Sequence, residues 1–340
     1  MHTTLLKKIP KYIAISRTDS IGDVILTLPL AKILKDHYPY TKIAFIGKAY
    51  TKAVIKACKY VDDFIDVTDF INGSLSPLPD AIIHVFPVAA IAKKAKLLKI
   101  PLRIGTTNRL YHWLTCNKLI KLSRKNSLLH EAQLNIKLLE AFNINTDFSL
   151  EEIGNSFGLQ NLNPLQPEFL SLIKKDKYNL ILHPKSQGSA REWGFNNFIE
   201  LINSLDLDRY TIFISGTKKE RESLQPLFSA VAEKVVDITG LMSLEQFISF
   251  IAHCDGMVAN STGPLHIATA LAKDALGIYP PMRPIHPGRW KPLGPGAKVF
   301  VLNKICNDCR NKNTLCHCIQ EIEPLQIKKT LDSLQINTKQ

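Results

Sequence analysis

At 340 residues the chain is too long for one ordinary core and suits two domains of roughly 150 residues each. Hydrophobic residues make up 45% of it and charged residues 21%, a globular balance that excludes a disordered or fibrous protein, and no apolar run approaches the roughly 18–20 residues of a membrane span. The formal net charge of +13 points away from neutral metabolites and towards polyanionic partners.

The opening Met1–Pro10 has two lysines but neither an apolar h-region nor a small-residue cleavage site, so no signal peptide is read and a cytoplasmic location is expected. Strands are then predicted at Lys11–Ser16, Lys42–Gly47, Phe64–Val67 and Ala81–Phe86. Helical spacing runs over Val24–His37, Ala89–Leu98 and Leu128–Phe142. Near-continuous apolar strands separated by helices imply a parallel sheet covered on both faces. Between Glu152 and Lys177 the rhythm lapses into Gly, Asn, Pro and Gln, and the linker is placed at 161–177 after a first domain of residues 1–160.

The pattern restarts in a second domain, residues 178–322. Its strands are expected at Tyr178–His183, Tyr210–Ser215, Val235–Ile238, Gly256–Asn260 and Ala275–Tyr279. Helices are expected at Asn196–Leu205, Lys218–Ala232 and Leu244–His253, with another opening at Gly263. A terminal helix within 323–340 is expected to pack back across the first domain. Each half therefore reads as a doubly wound α/β domain, and ligands of such sheets bind at the carboxyl ends of the strands, here in a cleft between two facing domains.

The basic residues are spread along the chain, with clusters at Lys93–Lys96 and Lys118–Lys125. No RNA-binding signature, zinc-finger spacing or aromatic-basic repeat accompanies them, so nucleic acid is not expected as a partner. An anionic membrane or anionic glycolipid is. Cys58, Cys116 and Cys254 sit in apolar contexts and read as buried small hydrophobes. Cys306, Cys309, Cys316 and Cys318 with His317 offer zinc-ligand chemistry, although the single-residue spacing of the second pair is atypical. The Pro281–Trp290 loop brings Arg283, Arg289 and Trp290 after a strand, as a donor-pocket wall or as a purely structural loop.

Three segments carry chemistry. Ser16–Pro29 follows the first strand and holds one glycine, so it offers neither the Gly-x-Gly-x-x-Gly of a dehydrogenase nor a P-loop. Asp23 falls in the first helical turn, where the macrodipole favours the carboxylate and a sugar hydroxyl could give up its proton; Asp19 is its rival, and a mere cap is the plain alternative. Asn260–Leu271 places Ser261, Thr262 and Gly263 before Pro264, whose absent N–H suits a helix start, and so builds a cradle for phosphate oxygens. His266, in the first turn, donates to a phosphate or sugar oxygen or simply packs. His183–Trp193 brings Lys185 and Arg191 to the same strand edge, where cations stabilise a leaving diphosphate without a metal.

Taken together these segments resemble glycosyltransferase family nine, the heptosyltransferases of lipopolysaccharide core assembly. The resemblance covers most of the chain and rests on Ser-Ile-Gly-Asp-Val…Leu-Pro, His-Pro…Arg-Glu-Trp, Ser215-Gly-Thr217…Glu220, Ser-Thr-Gly-Pro-Leu-His and the late Cys-x-x-Cys, in that order. It implies a GT-B fold of two Rossmann-like domains, no required metal or cofactor, and inverting transfer of heptose from ADP-heptose to a lipid A–Kdo core. It also implies that Asp23 is the base and that Arg191, with Lys185, holds the diphosphate. Thr262, Gly263 and His266 would then face phosphate and sugar, with Glu220 on the adenosine ribose. Many members carry Asp where this chain has Ser261, which leaves a different nucleotide sugar open, as well as a GT-B protein that binds nucleotide sugar without turnover. The anionic acceptor and the positive charge imply peripheral contact with the inner face of the inner membrane.

Overall fold

In the first of two sheets, β1 (Tyr12–Ser16), β2 (Lys42–Gly47), β3 (Asp63–Asp66), β4 (Ala81–His84), β5 (Leu102–Thr106) and β6 (Lys118–Ile120) lie in the order β3-β2-β1-β4-β5-β6. The second contains β7 (Tyr178–His183), β8 (Tyr210–Ile214), β9 (Val236–Asp237), β10 (Gly256–Asn260), β11 (Asp274–Ile278) and β12 (Ala297–Phe300), ordered β12-β11-β10-β7-β8-β9. Every pairing is parallel. The computed structural model describes residues 9–124, 127–186, 188, 190–282, 286–304, 306 and 317–335.

Both sheets share one winding. The chain steps outward twice, returns to the middle, and winds the other way, so each sheet has a switch point, at β1/β4 and at β7/β10. Ligands of open α/β sheets bind outside the carboxyl ends of the strands at such points. Register keeps those ends level: Ser16 lies opposite Ile46 and His84, and His183 opposite Ala259. The central strands are apolar and fully covered, as parallel sheets require.

The contact pattern divides the chain between Asn161 and Leu162. The expected linker is a packed strap: Pro167–Leu170 is helical with Phe169 buried, Ser249 Oγ donates to the Asn163 carbonyl, and Gln246 Nε2 donates to that of Pro164. The terminal helix, Pro324–Asp332, buries Ile327 and Leu331 in the second unit's own core beside Phe198, Leu201 and Leu227.

Two further differences have local causes. The helical spacing over Val24–His37 forms two helices, Ile21–Ile25 and Pro29–His37, because Pro29 has no N–H to continue the first and is preorganised to start the second. Strands β5, β6 and β12 escape the periodicity because they lie at or beside sheet edges and interleave Arg103, Lys118 and Lys298 with their apolar residues. Cys58, Cys116 and Cys254 are buried as read.

Candidate functional site

The first unit's switch point is occupied by charge. Arg17 follows β1 directly and is 2% exposed, so its guanidinium is deprived of water and must be paired. Its Nε donates to Asp19 Oδ1 (2.7 Å), its Nη2 to Asp23 Oδ1, and its Nη1 to Glu131 Oε1 (3.1 Å) and Asn135 Oδ1 (3.2 Å). Arg124 closes the far side, giving Nε to Glu131 (3.0 Å) and Nη2 to Asn135 (2.8 Å). Burial alone would lower the Arg17 pKa, but Asp23, Asp19 and Glu131 outweigh it and hold the cation protonated far above its ordinary value.

Asp23 stands at the third position of the Ile21–Ile25 helix, whose N-cap residue, Ser20, makes no side-chain capping bond. Its second oxygen accepts from Ser20 Oγ, so the bonds its carboxylate makes run to side chains and not to the amides a plain cap would satisfy. The side chain is 15% exposed, open to a partner at one edge. Asp19 behaves differently. Burial, against the pull of Arg17 and with repulsion from Asp23, raises its pKa to about 6. Of the two rivals, Asp23 is the carboxylate anchored by both a cation and a hydroxyl.

In the second unit, Asn260 at the end of β10 fastens the neighbouring loop at both ends. Its Oδ1 accepts from Trp193 N (2.9 Å) and its Nδ2 donates to the Pro184 carbonyl (2.8 Å). This brings the Pro184–Trp193 loop, with Lys185 and Arg191, beside Ser261–His266. Trp193 is fully buried and its indole N–H donates to the Ile322 carbonyl, so the loop is rigid at its carboxyl end. Lys185 Nζ is paired with Glu192 Oε2 at 2.7 Å and lies over the Phe195 ring. Arg191 is half-buried in the same loop.

The Gly263–Ala270 helix begins with Thr262 as its N-cap and Pro264 in its first turn. Thr262 is 5% exposed, yet its hydroxyl makes no capping bond and Oγ1 has no hydrogen-bond partner among the described residues. A buried hydroxyl left unbonded beside a helix amino terminus is a ready anion contact. His266 is buried in the first turn, and Ser261 is half-buried with its hydroxyl against Tyr279. Tyr279 in turn donates to the Trp290 carbonyl (2.7 Å), and Arg289 lies over the Trp290 ring.

Glu220 is 8% exposed, and its Oε2 accepts from Thr217 N (2.7 Å) and Thr217 Oγ1 (2.9 Å), bracing the turn after β8. His183, at the end of β7, meets Ser215 Oγ at 2.9 Å. Burial lowers its pKa to about 4 despite the nearby Glu220 and Glu192, so it is neutral.

Arg17, Glu131 and Asn135 in the first unit and Asn260 in the second carry the architecture of their own switch points but were not part of the sequence reading. The available signal for Arg17 was a charged residue joined directly to an apolar strand, a place where burial forces pairing. Glu131 and Asn135 are brought in from more than a hundred residues away, and no local pattern announces them. Cys306 and Cys318 are buried against Met282 and Leu302, while Cys309, Cys316 and Arg283 lie outside the described residues.

Comparison with known proteins fits this picture. The profile of "Glycosyltransferase family 9 (heptosyltransferase)" matches residues 85–320. A "Putative glycosyltransferase" of Haemophilus influenzae is 26% identical over 83% of this chain and 86% of its own length. The "Lipooligosaccharide heptosyltransferase 2" of Campylobacter jejuni is 22% identical over 92% and 96%. Among solved structures, E. coli "ADP-heptose lps heptosyltransferase II" superposes with a TM-score of 0.71 at 17% identity, covering 95% of this chain and 98% of that one. Two Rossmann-like units of this strand order are the GT-B fold of that enzyme. With its profile spanning most of its length, the chain belongs to glycosyltransferase family 9, the heptosyltransferase family.

Proposed function

We propose that this enzyme transfers heptose, with inversion, from ADP-heptose to the lipopolysaccharide inner core, either Kdo–lipid A or a core already heptosylated. The observation that carries the reading is the Asp23 carboxylate at the first switch point, anchored by Arg17 and the Ser20 hydroxyl and still partly exposed. A protein that only binds nucleotide sugar has no use for such a base.

In the reaction the acceptor oxygen attacks the anomeric carbon from the face opposite the diphosphate. Its proton passes to Asp23, and the bond to the diphosphate oxygen breaks with its electron pair leaving on ADP. General-base help is worth roughly 10²–10⁴-fold. Arg191, the Thr262 hydroxyl and the amides opening the Gly263–Ala270 helix meet the charge on the leaving group, with His266 and Ser261 beside them and Lys185 as support. Glu220 faces the adenosine ribose. The reaction as written uses no metal. A relative named as a heptosyltransferase and a structural neighbour named for ADP-heptose support the donor, and the acceptor's anionic lipid supports peripheral contact at the inner face of the inner membrane.

One observation favours a second donor. Ser261 supplies a hydroxyl engaged by Tyr279 at a position where the family often has a carboxylate, so another nucleotide sugar remains the competing reading. Incubation with ADP-heptose and alternative nucleotide sugars plus truncated Kdo–lipid A, read by product mass, decides between them. Asp23→Ala should lower turnover about 10²–10⁴-fold while ADP binds as before. A well-folded variant with native turnover would remove Asp23 from the base role.

A further inference from the structure

Between Asp80 and Glu131 the chain contains ten lysines and arginines and not one aspartate or glutamate, so most of the +13 excess is concentrated in this one stretch. The stretch builds β4 to β6 and the two helices between them, Ala89–Leu97 and Leu110–Thr115, at one side of the first sheet. The second of these helices is inside out. Leu110, Trp113 and Leu114, spaced as one apolar face, are 87%, 60% and 73% exposed, while His112 and Thr115 are buried. An apolar helical stripe ordinarily faces a core.

The local packing makes that orientation obligatory. Thr106 N donates to His112 Nδ1 (3.0 Å), and a Cβ at Gly105 would come within 2.8 Å of the His112 ring and of Cys116 Sγ, so the helix lies too close to β5 to rotate. The Trp113 indole is fixed by donation to the Thr107 carbonyl (3.0 Å). Lys96 Nζ donates to the Leu114 carbonyl (2.8 Å), joining the ends of the two helices and adding Leu97, 76% exposed, to the apolar patch. The same stretch exposes Lys93, Lys99, Arg109, Lys118 and Lys121.

We propose that this face docks the enzyme on an anionic phospholipid bilayer, with Leu110, Trp113 and Leu114 entering the headgroup boundary and the lysines meeting the lipid phosphates. An aromatic anchor in an apolar stripe, carried by a stretch with ten cations and no carboxylate, matches the chemistry of that interface and of no neutral partner. The inference rests on the membrane contact proposed above and locates it. It is independent of Asp23, because transfer to a truncated acceptor in solution needs no bilayer.

The test is cosedimentation of the full chain with vesicles of phosphatidylcholine alone or mixed equally with phosphatidylglycerol. Binding is expected only to the anionic vesicles and is lost at high salt. Replacing Lys93, Lys99 and Lys118 together by Gln should weaken it about a hundredfold, at about fivefold per charge. Replacing Leu110, Trp113 and Leu114 together by Ser should weaken it at least about tenfold. Both variants should keep native ADP binding and native transfer in solution, since the altered side chains are exposed. Trp113 emission should shift to the blue on anionic vesicles, a shift that Trp113→Phe abolishes. Native binding by both triple variants, no binding by the native chain at low salt, or a native dimer that the Ser variant converts to monomer would each overturn the assignment.

Discussion

Arg17 is one cation set among three carboxylates, and the three are not equivalent. Glu131 is shared with Arg124, Asp23 with the Ser20 hydroxyl, while Asp19 bears above all the cost of burial and after it the repulsion of Asp23. Asp19 is therefore the group with a raised pKa, about 6 against 3.8 for its ordinary value. A raised carboxyl pKa stabilises the fold below the unfolded value, and that contribution disappears as pH rises through the folded one. Asp19 thus makes the fold less stable between about pH 4 and pH 6, by as much as 2–3 kcal/mol. Asp19→Asn should remove this trend, and its stability relative to the native chain should improve on going from pH 4 to pH 7. Denaturant unfolding at the two pH values measures it; an unchanged difference would mean that Asp19 ionises normally. At this scale the place of Asp23 in a first helical turn was legible from the glycine and the strand before it. Its anchor was not, because a salt bridge reaching to Glu131 depends on the tertiary fold.

The Gly263–Ala270 helix shows what one element can announce about itself. A strand ending in Asn, then Ser-Thr-Gly-Pro, signals a helix start with unpaired amides, and that is where the helix begins. The signal did not reveal that Thr262 would be the N-cap without capping, its Oγ1 buried and unbonded. Such a hydroxyl costs the empty protein about 1–3 kcal/mol and recovers it against an anion. Thr262→Val keeps the shape and removes the hydroxyl. It should leave the ligand-free protein as stable or more so, and weaken ADP binding about tenfold or more, since hydrogen bonds to charged groups contribute about 1.5–3 kcal/mol. Calorimetric titration with ADP, beside a melting curve of the empty protein, reads both effects. A variant that loses stability but binds ADP normally would make the hydroxyl structural. Elements failed to announce themselves where the chain mixes signals. Apolar spacing ran through Pro29, and β5, β6 and β12 carry charges because a strand at or beside a sheet edge need not be apolar throughout.

Across the whole molecule the doubly wound pattern was legible because the central strands of both sheets are covered on two faces and so read as unbroken apolar runs. The same coverage buries a histidine at the carboxyl end of one central strand in each sheet. His84 closes β4, with both ring nitrogens lacking partners among the described residues beside the equally unbonded Ser16 Oγ, and His183 closes β7. Burial, then the neighbouring His112 and Arg103, lowers the His84 pKa to about 3; burial lowers that of His183 to about 4. A depressed histidine stabilises the fold above its unfolded pKa of about 6.5, and the contribution is lost as pH falls towards the folded value. Acidification below about pH 6.5 therefore weakens both units at once, against the opposite and smaller pull of Asp19. From pH 7 to pH 5 each histidine accounts for about 2 kcal/mol of lost stability. His84→Leu preserves the volume and discards two unsatisfied nitrogens, so it should reduce that loss by about 2 kcal/mol in denaturant unfolding while leaving the contribution of His183 in place. An identical acid loss in native and variant chains would show that His84 titrates in the folded protein, and with it that the end of β4 is open to water.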